Sequence, residues 1–231
     1  MLVRDRMTPD PICGHPEMPV TEAQALMRKK NIRHLPIVDE QKNLVGLITQ
    51  RSLLRALPSD VSSFSRFEVS YILGKIKVRD IMVEDVMTIE EDTPIEEAAR
   101  VMADRRIGCL PVTQDGDPST ALRLGSGQGS GQRLVGIITD NDLFTTMVDL
   151  LGARRPGIRL AVLQPDRPGE IARLSTAIAR AGGNLTVMVG CPTADPAIWT
   201  SVLKVTNIPR QDLVGIVGKL EDVQIQDVRE M

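Results

Sequence analysis

The sequence predicts an α/β (α+β) protein: two copies of one β-α-β-β-α unit packed as a pseudo-symmetric pair, then a smaller βαββαβ domain. Three observations carry this. A segment recurs at a fixed offset, apolar residues switch between helical and strand spacing within each copy, and the pattern changes after Gly152-Ala-Arg-Arg-Pro-Gly157.

The repeat comes first. Residues 3–38 align with 78–113 at an offset of 75 without a gap. Val3-Arg4-Asp5 returns as Val78-Arg79-Asp80. Met7, Asp10, Pro19, Glu22, Ala23 and Met27 return as Met82, Asp85, Pro94, Glu97, Ala98 and Met102. Ile32, Leu35 and Pro36 return as Ile107, Leu110 and Pro111. These twelve identities in one register exceed chance. The offset then becomes 90, and Leu44-Val-Gly-Leu-Ile-Thr49 matches Leu134-Val-Gly-Ile-Ile-Thr139. The extra residues of the second copy include the Gly/Ser-rich stretch 125–131, a flexible loop by composition.

Within each copy, Pro19 or Pro94 suits the first position of a helix, and Thr93 with Glu96 forms the T-x-x-E pattern of a capping box. Val20, Ala23 and Met27, like Ile95, Ala98 and Met102, fall at helical spacing. Two short apolar strands follow, then a second helix from about Ser52 or Asp142. A lone copy would expose one apolar sheet face, so the two are expected to pack together. The expected boundaries are 1–57 for the first copy, 58–77 for a linker helix, 78–151 for the second copy and 158–231 for the C-terminal domain. Phe64, Phe67 and Tyr71, at spacings of three and four, are expected either to staple that linker helix onto the repeat or to stack on a ligand.

Composition removes several classes of function. The formal net charge is -2, which gives no general attraction to nucleic acid or an anionic membrane. Aromatic residues are 2% of the chain, too few for base-stacking platforms. No apolar run approaches the roughly 20 residues that span a bilayer, and residues 1–11 lack a secretory apolar core, so the expected location is the cytoplasm. Cys13, Cys109 and Cys191 are far apart and read as reduced thiols. Cys13 and His15 are too sparse for a metal site, and no phosphate-loop, dinucleotide or serine-hydrolase motif occurs. The expectation is a non-catalytic protein with no metal and no catalytic cofactor.

V-R-D-x-M at each start, Ile-Arg-His-Leu-Pro and Ile-Gly-Cys-Leu-Pro at the second strands, and Gly-h-h-Thr-x-x-Asp at the end of the second copy resemble the CBS repeat. That unit usually occurs in tandem as a Bateman module, and the resemblance covers residues 1–150. It implies an adenine nucleotide (ATP, ADP, AMP) or S-adenosylmethionine as regulatory ligand. It further implies that Thr139 and Asp142 hold phosphate and ribose, and that Thr88, Ile107, Cys109 and Leu110 line the adenine pocket.

A strand running into a helix N-terminus at Gly136–Asp142 presents amides and a dipole to an anion, which suits the first role. The same T-x-x-D pattern is a helix cap, and both readings stand at this point. Copy one carries Ser52 where copy two has Asp142, so its site is expected to be weak or empty. Asn141 replaces a basic residue often found in relatives, leaving Arg33, His34, Arg51 and Arg106 as candidate phosphate contacts.

After Gly157, apolar periodicity gives strand, helix, strand, strand, helix, strand, the ferredoxin-like order. Ile171, Leu174 and Ile178 are the expected inner stripe of the first helix, and Gly182-Gly183 ends it. Gln164-Pro-Asp-Arg-Pro-Gly-Glu-Ile171 with Gly-Gly-Asn184 resembles the ACT domain, an amino-acid-sensing module. The resemblance implies an amino-acid ligand at Asp166, Gly169, Glu170 and Asn184, at an interface between two such domains. The same residues also read as a helix start at Asp166 and Pro168 and a turn cap at Asn184 in a domain that only dimerises, and both readings stand. The order CBS–CBS–ACT is similar to CBS–ACT proteins of the acetoin-utilisation type. The combined expectation is a homodimeric sensor that signals to a metabolic protein target. The alternative is a dimerisation or partner-docking scaffold with vestigial ligand sites.

Overall fold

The computed structural model describes residues 1–55, 75–114, 122–123 and 132–231. The expected linker helix, with Phe64, Phe67 and Tyr71, and the Gly/Ser loop at 125–131 lie outside the described residues. The chain divides into two compact units, Met1–Leu143 and Phe144–Met231. The boundary between the units falls within the helix Asp140–Leu150.

In the first unit, copy one contributes β1 (Thr8–Pro9), α1 (Val20–Lys30), β2 (His34–Val38), β3 (Leu44–Thr49) and α2 (Gln50–Arg55). Copy two contributes β4 (Thr88–Glu90), α3 (Ile95–Arg105), β5 (Cys109–Gln114), β6 (Leu122–Arg123), β7 (Arg133–Thr139) and α4 (Asp140–Leu150), which crosses the boundary. One sheet runs β1-β7-β5-β4-β6 and the other is the β2-β3 hairpin.

The copies do more than pack side by side: each one's opening segment is built into the other. Val3-Arg-Asp5 and Val78-Arg-Asp80 are short 3-10 turns, closed when Asp5 and Asp80 accept the amides of Leu2 and Lys77. Val3 is fully buried in the core of copy two, among Ile89, Val101 and Leu110. Val78 is fully buried in the core of copy one, among Leu35, Ile37 and Ile48. Thr8 pairs with Ile137, and its counterpart Val83 pairs with Leu47. The recurrent V-R-D is thus an exchanged plug, which makes each core depend on both copies.

The expected capping box at Thr93 does not form. Pro94 itself is the N-cap, so Glu96 sits at the second helical position and cannot reach back as a third-position glutamate does. Thr93 is buried, and its hydroxyl lacks a hydrogen-bond partner.

The second unit holds β8 (Ile158–Pro165), α5 (Glu170–Arg180), β9 (Asn184–Pro192), β10 (Ile198–Thr206), α6 (Arg210–Val217) and β11 (Gln224–Glu230). Its sheet runs β11-β8-β10-β9 with every neighbour antiparallel. Leu160, Val162, Leu174, Ile178, Leu203, Leu213 and Val217 form its core. Ile171 is 57% exposed, so the expected stripe is shifted. Glu170 turns inward in its place, held by Arg167 Nε at 2.5 Å and Arg173 Nη2 at 2.6 Å. A charge can occupy that inner position because two guanidiniums flank it, Arg167 three residues before and Arg173 three residues after.

Candidate functional site

The exchange of segments decides what faces Thr139 and Asp142. A cleft of about 570 Å³ opens beside them in the first unit. Its walls are Thr8, Asp10, Pro11 and Ile12, and the run from Asn31 to Pro36 that includes Arg33 and His34. Only Ile137, Thr139, Asn141 and Asp142 come from copy two.

At the mouth of α4, Asp142 Oδ2 accepts the Thr139 amide at 2.8 Å and the Thr139 hydroxyl at 2.7 Å. The carboxylate caps the helix and orients the threonine at once. Copy one repeats the device with Ser52, whose Oγ lies 3.0 Å from Thr49 Oγ1 and accepts the Thr49 amide at 3.4 Å. A hydroxyl therefore serves the cap there, without the charge.

Across the cleft, Arg33 Nη2 pairs with Asp140 Oδ1 at 2.8 Å. Asp10, on the rim, pairs with Lys42 at 3.4 Å. Lining residues and these partners bring three carboxylates (Asp10, Asp140, Asp142) against two fixed cations (Arg33, Lys42). Among the described residues, both of these cations are already paired with a carboxylate.

His34 sits against Gly108, where a Cβ would come within 3.3 Å of its Nε2. Burial, and then the neighbouring Arg33 guanidinium, hold its pKa below the usual imidazole value, against the opposing pull of Asp140. A folded pKa below the unfolded one gives stability that is full above about 6.5 and declines as pH falls below it. The melting temperature is expected to drop between neutral and mildly acidic pH, and His34→Gln is expected to flatten that slope. An unchanged slope in the variant would show that His34 is not the group responsible.

Thr88, Ile107, Cys109 and Leu110, expected around an adenine, do not line this cleft. Leu110 is fully buried in the core of copy two. Thr88 is buried on β4 and donates to Gln132 Oε1 at 3.2 Å. Ile107 packs against the copy-two core, and Cys109 is buried beside Leu47 and Ile137. Burial, followed by the Asp140 charge, pushes the Cys109 thiol up to about 12, so it stays protonated.

The sequence places the expected adenine pocket on copy two, with phosphate contacts from both copies, whereas the exchange walls the Thr139 cleft mainly with copy one. Ile107 and Cys109 are the counterparts of Ile32 and His34, and Arg106 and Arg51 are those of Asn31 and Asn141. By internal symmetry these four belong with Thr49 and Ser52. Arg33 and His34 are the two candidate phosphate contacts that reach the Thr139 cleft. The 75 and 90 offsets that reveal the repeat would have found Thr8, Asp10 and Ile12, had the strand exchange been readable.

In the second unit, Asp166, Gly169 and Glu170 gather at the start of α5, with Gly169 at φ 94°. Asn184 pairs with Thr206 at the far end of β10, while the strand end before Asp166 pairs with Ile198. One copy of the domain does not bring these four residues together. Among the described residues no His, Cys, Asp and Glu side chains cluster as a metal site, and no helix is long and apolar enough to cross a membrane.

The CBS domain family matches residues 3–59 and 78–119 of the chain. A putative acetoin utilization protein (AcuB) from Vibrio cholerae is 31% identical, with 67% of this chain and 95% of that chain covered, at a TM-score of 0.51. The CBS domain pair of protein MJ0100, solved in complex with 5'-methylthioadenosine and S-adenosyl-L-methionine, is 30% identical over 67% of this chain and 98% of that one, with a TM-score of 0.50. L-aspartate semialdehyde sulfurtransferase of Methanocaldococcus jannaschii is 32% identical over 142 residues, 62% of this chain, and the chain spans 22% of that protein's length. The exchanged repeats, the cleft between them and these similarities agree: the chain belongs to the CBS-domain proteins and carries a CBS domain pair.

Proposed function

We propose that the chain is a non-catalytic regulatory sensor whose CBS pair binds an adenosyl ligand in the cleft beside Thr139 and Asp142. The carrying observation is the Asp142 carboxylate at a helix mouth, opposite an arginine and a neutral imidazole, in a cleft of ligand size. In the liganded state a ribose diol takes up the carboxylate, and the apolar wall of Ile12, Ile32 and Pro36 takes the base. The MJ0100 pair, which holds adenosyl ligands, supports this reading. Charge narrows it further. Among the described residues, the cations at the cleft, Arg33 and Lys42, are each already paired with a carboxylate, which supports S-adenosylmethionine and methylthioadenosine over the polyphosphate of ATP.

Calorimetry of the full chain with S-adenosylmethionine, methylthioadenosine, AMP and ATP tests the proposal. Saturable binding, tighter for the first two, is expected; at 100 times Kd the ligand adds about 2.7 kcal/mol to stability. Failure of all four to bind would leave Thr139–Asp142 as a helix cap and the pair as a docking scaffold.

The finer reading extends along α4. Asp142 starts this helix, and Gly152, just past its end, accepts a hydrogen bond from Lys204 of β10 at 2.7 Å. A ligand on Asp142 thus grips an element fastened at its other end to the C-terminal sheet, which we read as an ACT-type, ferredoxin-like domain. The ligand can bias that helix only by its differential affinity for two positions, worth typically about 1–3 kcal/mol. The signal passes to a metabolic protein target of the acetoin-utilisation kind, and an amino acid at an ACT–ACT interface would be a second input.

Phe144, Met147 and Leu150 are 65%, 50% and 53% exposed at every third position of α4, a face suited to a second copy of the chain. Light scattering is expected to give twice 25.3 kDa, and Phe144→Glu to shift it toward the single mass. A monomeric wild type would rule the homodimer out.

A further inference from the structure

Lys204 is 3% exposed, yet among the described residues it meets no carboxylate within ion-pair distance. Its one hydrogen bond is to the neutral carbonyl of Gly152 at 2.7 Å. An ammonium carries three donors, so two remain uncommitted in a dry setting. Burying a cation without a counter-charge is costly, and a fold that does so has a reason outside ordinary packing.

That setting is a cleft of about 330 Å³ within the second unit, on the sheet face away from α5 and α6. Val187, Val189, Val202, Leu151 and Ala153 give it apolar walls. Arg159 is the other cation on the lining, and it already pairs with Asp227 Oδ2 at 2.6 Å. Among the described residues no carboxylate side chain lines the cleft.

We infer that this cleft is a binding site for a small monocarboxylate with an apolar body, its carboxylate on Lys204 Nζ and its body between the valines of β9 and β10. A zwitterionic amino acid suits it less, because among the described residues no acidic side chain lines the cleft to pair with its ammonium. The volume lies at the small end of ligand sites, which favours a short branched or linear acid. The inference goes beyond the nucleotide reading and does not rest on it.

The test is calorimetry of the full chain with isocaproate, isocaproamide and leucine. A hydrogen-bonded charge predicts that isocaproate binds roughly 10–150-fold more tightly than its amide. Lys204→Met keeps the length and apolar stem of the side chain, and it is expected to erase that difference. Val189→Phe, which leaves Lys204 in place and fills the cleft, is expected to remove binding of both. Should Lys204→Met unfold, the Val189→Phe result and slower alkylation of the exposed Cys191 in wild type with isocaproate still decide the matter. Absence of saturable heat at millimolar isocaproate, equal affinity for acid and amide, or leucine binding as tightly as isocaproate would each overturn the inference.

Discussion

Asp142→Ala is expected to weaken S-adenosylmethionine binding by about 1.5–3 kcal/mol, the range for a hydrogen bond to a charged group, and Asp142→Ser to weaken it equally. The two variants differ in stability. Asp142 Oδ2 accepts both the amide and the hydroxyl of Thr139, so alanine removes a cap worth about 1 kcal/mol. Serine retains it, because Ser52 already plays that part against Thr49 in copy one. Urea unfolding beside calorimetry therefore separates the two roles. If serine restored binding as well as stability, the carboxylate would be a cap alone. Ser52→Ala, at the mouth of the other cleft, is expected to leave affinity nearly unchanged.

Leu110→Ala is expected to cost about 2–5 kcal/mol of stability, with the dissociation constant of S-adenosylmethionine unchanged for the folded fraction. Leu110 is fully buried in the copy-two core, between Val3 from the opening turn of copy one and Ile138 of β7. Truncating it opens a void that both copies share, and the loss is a large part of the roughly 5–15 kcal/mol that holds a domain together. A smaller truncation, Val3→Ala, is expected to destabilise copy two although Val3 belongs to copy one. The urea midpoint measures both. A tenfold change in affinity with little loss of stability would return Leu110 to the ligand pocket.

The repeat, its two-helix pattern and the C-terminal strand–helix order are legible because periodicity reports which face of each element is apolar. Val20, Ala23 and Met27 are buried on α1 as their spacing requires. The pattern fails at Ile171, where Glu170 is buried between Arg167 and Arg173 and the isoleucine faces out. Hydropathy alone ranks those two the other way, and only the ion pairs reverse the order. At Thr93 the motif is present, but the helix begins one residue too late to use it.

The sequence by itself determined that Thr139 and Asp142 stand together at a helix mouth, since a strand, a threonine and an acid three residues on form a local motif. It also determined the contrast with Ser52. The tertiary structure decided what lies opposite them. Thr8–Ile12 and Asn31–Pro36 reach the cleft through the pairing of β1 with β7 and the seating of Val3 in the other copy's core. Which of two similar repeats a strand joins depends on the relative free energies of two nearly equivalent pairings. The residues of either repeat read alone do not state that difference. The same holds for Lys204: in sequence it is one lysine on a strand, and only the fold removes it from water and leaves it beside an apolar cleft.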